Sequence, residues 1–490
     1  MNLARGTALN FIGLAAPLPL ALAVIPVLLA ALGEGRFGLL TLVWAVTSYF
    51  GLFDLGLGRA LTLQLSVVLQ QGRDEAVGPL SATALAAMGG LGLLGGASLW
   101  LVAPAAVGLI KDLPDPAEAV GALRMMSLAL PFIVLTAGLR GMLEACRAFD
   151  LVNYVRIPLG LWTIAGPWLQ VSFRAADLTE ITAILVAGRV VGCLAHALLV
   201  RRRLPQLRGA MRWRRRLLGP LARSGGWLTV SNLVGPLMGY GDRFILGAVL
   251  SASAVAFYAT PQELTSKLWI LPGALAATLF PTLAARIAAG DAGTPGLCRK
   301  ALDWLILALL PPTLGLALFA RELLAVWLSE PFAAQSALAL QAFSAGMFVG
   351  GLAQLPFTVL QSAGLASRTA WLHVLELPVF IVCLAWAGGR FGVAGAALVW
   401  FGRSAVDAAL MFVLAARGVR VGARPLFDGR TVGVVLLASA AFLGLLLPQA
   451  GLRALWFALS CGVVGVLGLR RWMGENAARH AAPRPMAPEK

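Results

Sequence analysis

Charge is scarce in this chain. Asp, Glu, Lys and Arg make up 12% of its 490 residues, against about 25% in a soluble domain. No stretch is polar enough over enough length to fold alone in water, so the two or three soluble domains suggested by length are excluded. Lysine is confined to Lys111, Lys267, Lys300 and Lys490. The three histidines, His196, His373 and His480, form no cluster that resembles a metal site. Five scattered cysteines, Cys146, Cys193, Cys298, Cys383 and Cys461, read as small core residues rather than disulfides. No Gly-x4-Gly-Lys-Ser/Thr occurs, which excludes a P-loop ATPase. No Ser–His–Asp set is suggested, and no cofactor is implied. The chain does not read as an enzyme.

What is abundant is apolar sequence. Hydrophobic residues reach 59% and mean hydropathy is +0.84. A helix crosses the hydrocarbon with about 20 apolar residues. Runs of that kind fall near 7–32, 37–57, 80–104, 118–140, 152–173, 179–200, 226–249, 254–285, 301–320, 335–362, 370–388, 392–415, 430–448 and 452–470. Fourteen spans follow, the first too long for a cleaved signal peptide. Gly33-Glu34-Gly35, the Asp112–Pro116 segment, Gly290-Asp291 and Gly388-Gly389 separate neighbouring runs. With the N-terminus inside, the inner segments hold 27 Lys and Arg and the outer loops 6. That asymmetry predicts both termini cytoplasmic. The net charge of +17 is therefore read as a membrane signal rather than a nucleic-acid one. The outer loops are short, which excludes a large extracytoplasmic domain. Nine arginines between 201 and 223 predict a surface helix on anionic headgroups, with Trp213 at the interface.

Spans one and seven share an Asn and a Pro (Asn10, Pro17; Asn232, Pro236), and the next span of each pair opens on Phe37-Gly38 or Phe257-Tyr258. This weak repeat predicts two parallel six-helix lobes with two appended helices. The expected division is an N-terminal lobe at 1–200, a basic cytoplasmic linker at 201–225, a C-terminal lobe at 226–418, two further spans at 419–473 and a disordered tail at 474–490.

Ionisable residues inside the spans carry the functional signal, since a charge facing lipid costs about 3 kcal/mol on insertion scales. Glu263 and Lys267 share a helix face at i, i+4. Asp242 and Arg243 in the preceding span lie at a similar depth, so a cross-helix network of the four is expected. Arg124 is at comparable depth in the first lobe. Arg189 and Arg403 lie near mid-membrane in equivalent spans, with Asp407 one turn after Arg403. These residues read as a charged cavity lining or as a buried ion-pair network. Asp54 and Arg59 flank Gly56 and Gly58 at the cytoplasmic end of span two, as a helix exit or a gate. Gly92/Gly96 and Gly346/Gly350 have the spacing of close helix packing.

The segments FGLLTLVWAVTSYFGLFDLGLGRAL (37–61), GLRGMLEACRAFDLVNYVR (138–156) and GGWLTVSNLVGPLMGYGDRFILGAVLSASAVAFYATPQEL (225–264) resemble the polysaccharide-transport family of oligosaccharide flippases, within the multidrug/oligosaccharidyl-lipid/polysaccharide exporter superfamily. The resemblance implies an all-α integral membrane protein with about fourteen transmembrane helices, whose two lobes form a V around a central cationic cavity. It implies alternating access and an undecaprenyl-pyrophosphate-linked oligosaccharide as cargo, flipped across the cytoplasmic membrane for polysaccharide or lipopolysaccharide biosynthesis. Membrane lipids and polysaccharide assembly proteins would be its partners. Under it, Arg124, Arg189, Arg243, Lys267 and Arg403 become cavity cations, and Asp242, Glu263 and Asp407 become ion-coupling or ion-pair candidates. A drug/cation antiporter of the same superfamily and, less favoured, a membrane polymerase or glycosyltransferase stay open.

Overall fold

The computed structural model describes residues 17–50, 56–174, 177–208, 212–221, 241–421, 424–427 and 429–481. Almost all of them are helical. Helices α1 (Pro17–Phe50), α2 (Leu57–Gln70), α3 (Asp74–Gly108), α4 (Pro116–Ser127), α5 (Leu130–Ala145), α6 (Phe149–Phe173) and α7 (Leu178–Arg203) lead to α8, helical over 241–249. There follow α9 (Ala252–Ser266), α10 (Ile270–Ala288), α11 (Thr294–Leu318), α12 (Ala320–Trp327), α13 (Glu330–Ser362), α14 (Ala366–Gly418), α15 (Gly429–Ser439) and α16 (Ala450–Ala481). Among the described residues the sheet content is one antiparallel ladder, Arg420–Val421 with Arg424–Pro425. Among the described residues eight helical stretches are long and apolar enough to cross a membrane, and two of them, α1 and α14, each overlap two of the predicted spans. Each predicted run has a helix over its described part; residues 7–16 of span one, 51–55 of span two and 226–240 of span seven lie outside the described residues.

The breaks between helices have identifiable causes. Gly33 sits at φ 71, ψ 168 inside α1, a conformation open to glycine alone, and it divides spans one and two where predicted. The break between spans eleven and twelve falls at Gly392 (φ 66, ψ −152) rather than at Gly388-Gly389. Those two glycines stay helical because their bare Cα atoms pack against Leu246 and Val249. A 3₁₀ turn at Lys267–Trp269 interrupts the eighth span. Pro272 lies just beyond it and cannot donate to the carbonyl of Leu268, so the last turn before it tightens. Helix α4 opens on Asp115, whose carboxylate accepts from the amides of Ala117 (2.9 Å) and Glu118 (3.1 Å), with Pro116 at the first position, where no N–H is missed.

Two expectations are corrected. Among the described residues, 204–217 do not form a surface helix. Pro205 forces Leu204 out of the helical region (φ −119, ψ 81), and the chain continues as a 3₁₀ turn at Pro205–Arg208, an extended stretch at 212–214 and another turn at Arg215–Leu217. Helix α16 also runs on to Ala481, into the segment expected to be a disordered tail.

The chain divides into two compact units, Met1–Thr260 with Leu372–Ala396, and Pro261–Trp371 with Ala397–Lys490. In the first unit, segments assigned to the outer side meet each other. Arg36 pairs with Glu118 at 2.8 Å, and the other oxygen of Glu118 accepts from the Leu178 amide at 2.7 Å. The Lys111 amide donates to Gly247 at 3.2 Å, the Ala252 amide to Lys111 at 3.3 Å, and Lys111 Nζ to Val249 at 3.1 Å. Segments assigned to the inner side meet at the opposite end, where Gln206 donates to Asp74 and the Arg214 amide to Thr83. The inner end holds a core of Leu57, Leu61, Leu65, Val77, Leu80, Leu143 and their neighbours. In the second unit, α12 packs Ala320 and Leu324 against Ala333 and Leu340.

The Gly92/Gly96 pair does pack closely: a methyl group on Gly92 would come within 2.6 Å of Pro131 Cα, and one on Gly96 within 2.8 Å of the Ser127 carbonyl. Gly92→Val should lower stability by about 1–3 kcal/mol. Gly90→Ala, where nothing lies within 4 Å, should not. Thermal unfolding of the two purified variants in detergent checks this.

Candidate functional site

Asp242 and Arg243 begin the described part of α8, and Tyr258 lies on α9. All three are buried, at 1% exposure or less. The Tyr258 hydroxyl donates to one oxygen of Asp242 at 2.9 Å, and the Arg243 amide donates to the other at 2.9 Å. Both carboxylate oxygens are thus engaged, which offsets the cost of taking the group out of water. Deeper along the same hairpin, Lys267 pairs with Glu263 at 2.8 Å, partly exposed and within the second unit. Both contacts among these four residues are local to their own helices, one in each unit. Glu263 stands five residues beyond Tyr258, or about 7 Å deeper at 1.5 Å per residue.

Helix α4 carries Arg124, whose guanidinium lies over the Trp100 ring of α3, 5.4 Å from its centroid. Its Nε is buried and makes no hydrogen bond. On α7, Arg189 reaches Thr163 of α6 at 3.5 Å, the limit of a hydrogen bond. In the second unit Arg403 lies over Trp400 at 5.8 Å. Trp400 is itself fixed edge-on against Phe343 (5.1 Å) and seated on Gly346. Asp407 is one turn beyond. Stacking on an aromatic face engages the plane of a guanidinium and leaves its N–H edge directed at oxygen acceptors. Arg124, Arg189 and Arg403 are all half-buried.

Arg59 is exposed on α2, which Gly56 opens in the left-handed region; Asp54 lies outside the described residues. Among the described residues no three His, Cys, Asp or Glu side chains group as metal ligands. Cys193 and Cys298 are buried as expected of core residues, while Cys383 is exposed. Burial pushes the Cys146 thiol up from its ordinary range, with Arg203 acting in the opposite direction. A cavity of about 380 Å³ in the second unit is lined by apolar side chains and Asp303, and none of the predicted cations reaches it.

In the sequence Tyr258 stands out only as part of the internal repeat, and Trp100, Trp400 and Thr163 do not stand out at all. Tyr258 was accessible: Asp242 and Tyr258 stand eight residues either side of Leu250, so a tight hairpin sets them level. Trp400 precedes Arg403 by three residues, a helical neighbour. Trp100 and Thr163 lie on other helices, beyond any local signal.

The family described as polysaccharide biosynthesis protein matches residues 3–286. The chain belongs to this family. A Shigella flexneri relative, described provisionally as an O-antigen transporter, is 28% identical over 412 residues, covering 84% of this chain and 97% of the relative. An inward-facing multidrug transporter of the MATE family, in the MOP superfamily, superposes with a TM-score of 0.69 at 14% identity, over 82% of this chain and 96% of that one. The lipid II flippase MurJ in an inward closed conformation gives 0.62 at 12% identity, over 91% and 99%. The fold is that of these transporters. The chain is a multi-pass transmembrane protein of the polysaccharide biosynthesis family with a transporter fold, and its Shigella flexneri relative is described as a transporter rather than an enzyme.

Tyr258→Phe removes one donor from a buried carboxylate and should cost about 1–3 kcal/mol. Tyr154→Phe, at a residue 79% exposed, should leave the unfolding midpoint unchanged in the same detergent assay.

Proposed function

We propose that this protein flips polyprenyl-pyrophosphate-linked oligosaccharides, of the undecaprenyl type, from the cytoplasmic to the outer leaflet of the cytoplasmic membrane for polysaccharide biosynthesis, with both termini cytoplasmic. The observation that carries the reading is the set of half-buried arginines, Arg124, Arg189 and Arg403, on apolar helices of a chain from this family. A pyrophosphate is prohibitively costly in bare hydrocarbon, and guanidinium N–H groups are its matched donors, each charge-assisted bond contributing about 1.5–3 kcal/mol. The O-antigen description of the Shigella flexneri relative and the lipid II specificity in MurJ's name support a lipid-linked sugar as cargo. In this reading Arg243 and Lys267, with Arg124, Arg189 and Arg403, complete the cationic passage. Asp242, Glu263 and Asp407 set its charge balance or couple transport to an ion.

Alternating access is supported by the small contact set at the outer end of the first unit. The hairpin between α8 and α9 is held to the segment around Lys111 by three hydrogen bonds and to α1 by contact at Gly38, where a methyl group would meet the Ala252 carbonyl at 1.9 Å. So few bonds can be exchanged for water during a transport cycle. The MATE likeness keeps a drug/cation antiporter as the second reading. A cation substrate calls for an acidic lining, and Arg124, Arg189 and Arg403 argue against one.

Two experiments test the proposal. In proteoliposomes with a fluorescent polyprenyl-pyrophosphate-linked sugar, Arg189→Ala and Arg403→Ala should each slow flipping by about tenfold or more, as expected for about 1.4 kcal/mol per lost bond, while Tyr154→Phe flips normally. Efflux of a cationic dye without sugar-lipid flipping by the wild type would favour the antiporter. In a background lacking the five native cysteines, Ile110→Cys with Gly247→Cys, whose side chains adjoin, should stop flipping when oxidised and restore it on reduction.

A further inference from the structure

The basic segment after α7 is held in place. Leu204 and Leu221 are buried in the inner-end core, with Leu207 and Leu217 packed against it. The Arg214 amide donates at 3.0 Å to the hydroxyl of Thr83, which in turn donates to the Pro79 carbonyl at 2.7 Å. Arg201, Arg202 and Arg203 in the last turn of α7 are exposed, as are Arg212, Arg214, Arg215 and Arg216 between these anchors. None of the seven forms an ion pair among the described residues. Residues 201–225 include no Asp or Glu. The opposite end of the first unit differs, because Arg36 there has the Glu118 carboxylate at 2.8 Å. Between Arg212 and Arg214, Trp213 is 51% exposed. A set of unpaired cations flanking an exposed tryptophan has the composition of a surface seated in a headgroup layer.

We propose that this strap is a binding surface for the phosphate headgroups of anionic phospholipids. The arginines supply N–H donors that match phosphate oxygens in pairs, Trp213 lies at the level of the headgroups, and the leucine anchors transmit occupancy to the inner end of the first unit. Lipid bound to the folded strap and not to the unfolded chain raises stability by mass action.

The test uses the full chain in a neutral detergent. Phosphatidylglycerol should raise the unfolding midpoint in a saturable, salt-sensitive manner, and phosphatidylcholine should not. Combining Arg212→Gln, Arg214→Gln, Arg215→Gln and Arg216→Gln should weaken the phosphatidylglycerol midpoint by at least about tenfold, without changing the melt in phosphatidylcholine. Brominated phosphatidylglycerol should quench the Trp213 component, read as wild type minus Trp213→Phe, more strongly than brominated phosphatidylcholine. Should the fourfold variant melt early in phosphatidylcholine, that quenching ratio in otherwise wild-type protein decides. Equal quenching by the two lipids, a full phosphatidylglycerol shift in a well-folded fourfold variant, or an equal shift with inorganic phosphate alone would each overturn the lipid assignment.

Discussion

Hydrocarbon gives no hydrogen bonds, and the molecule is arranged around that fact. Every backbone amide must find its partner within its own segment, which is why the apolar runs are helices. Every charged side chain inside those helices must be held by something other than water. The carboxylate of Asp242 is held by a phenol and an amide. Glu263 is held by Lys267. The guanidiniums of Arg124 and Arg403 lie on indole faces, and Arg189 reaches a hydroxyl. Such arrangements are costly to keep in a membrane, and a chain that served only as a scaffold would have no use for them.

The two classes of charged site differ in what they offer. Asp242 is closed in on both oxygens and shielded from every side. Arg124 and Arg403 lie against indole faces and Arg189 reaches a hydroxyl at the limit of a hydrogen bond. The first arrangement suits a fixed electrostatic or coupling element. The second suits a series of donors that an anionic headgroup can visit and leave. Passage requires binding of that intermediate kind, since a fully satisfied cation attracts no cargo and a fully naked one would not be tolerated.

Much of the fold was legible because a bilayer imposes a length. Runs of about 20 apolar residues and breakers such as Gly33 located the helices within a few residues. Basic residues sorted the loops into two sets, and within the first unit each set meets its own members. The misses have local causes. Gly392 rather than Gly388 breaks α14 because Gly388 and Gly389 are occupied in packing against Leu246 and Val249. The basic strap is not a helix because Pro205 redirects Leu204. For the site, residue type and depth identified the charged residues, but not what holds them. Tyr258 and Trp400 follow from hairpin level and helical spacing once looked for. Trp100 and Thr163 belong to contacts between helices, which only packing determines.

The central claim is that this cationic passage accepts a pyrophosphate-linked lipid. Native mass spectrometry of the detergent-solubilised protein tests it most directly, with undecaprenyl-pyrophosphate-linked sugar, undecaprenyl phosphate and a lipophilic cation offered in competition. The account predicts a one-to-one adduct with the pyrophosphate-linked lipid that disappears in Arg189→Glu. Retention of the lipophilic cation in preference to either anionic lipid would contradict it.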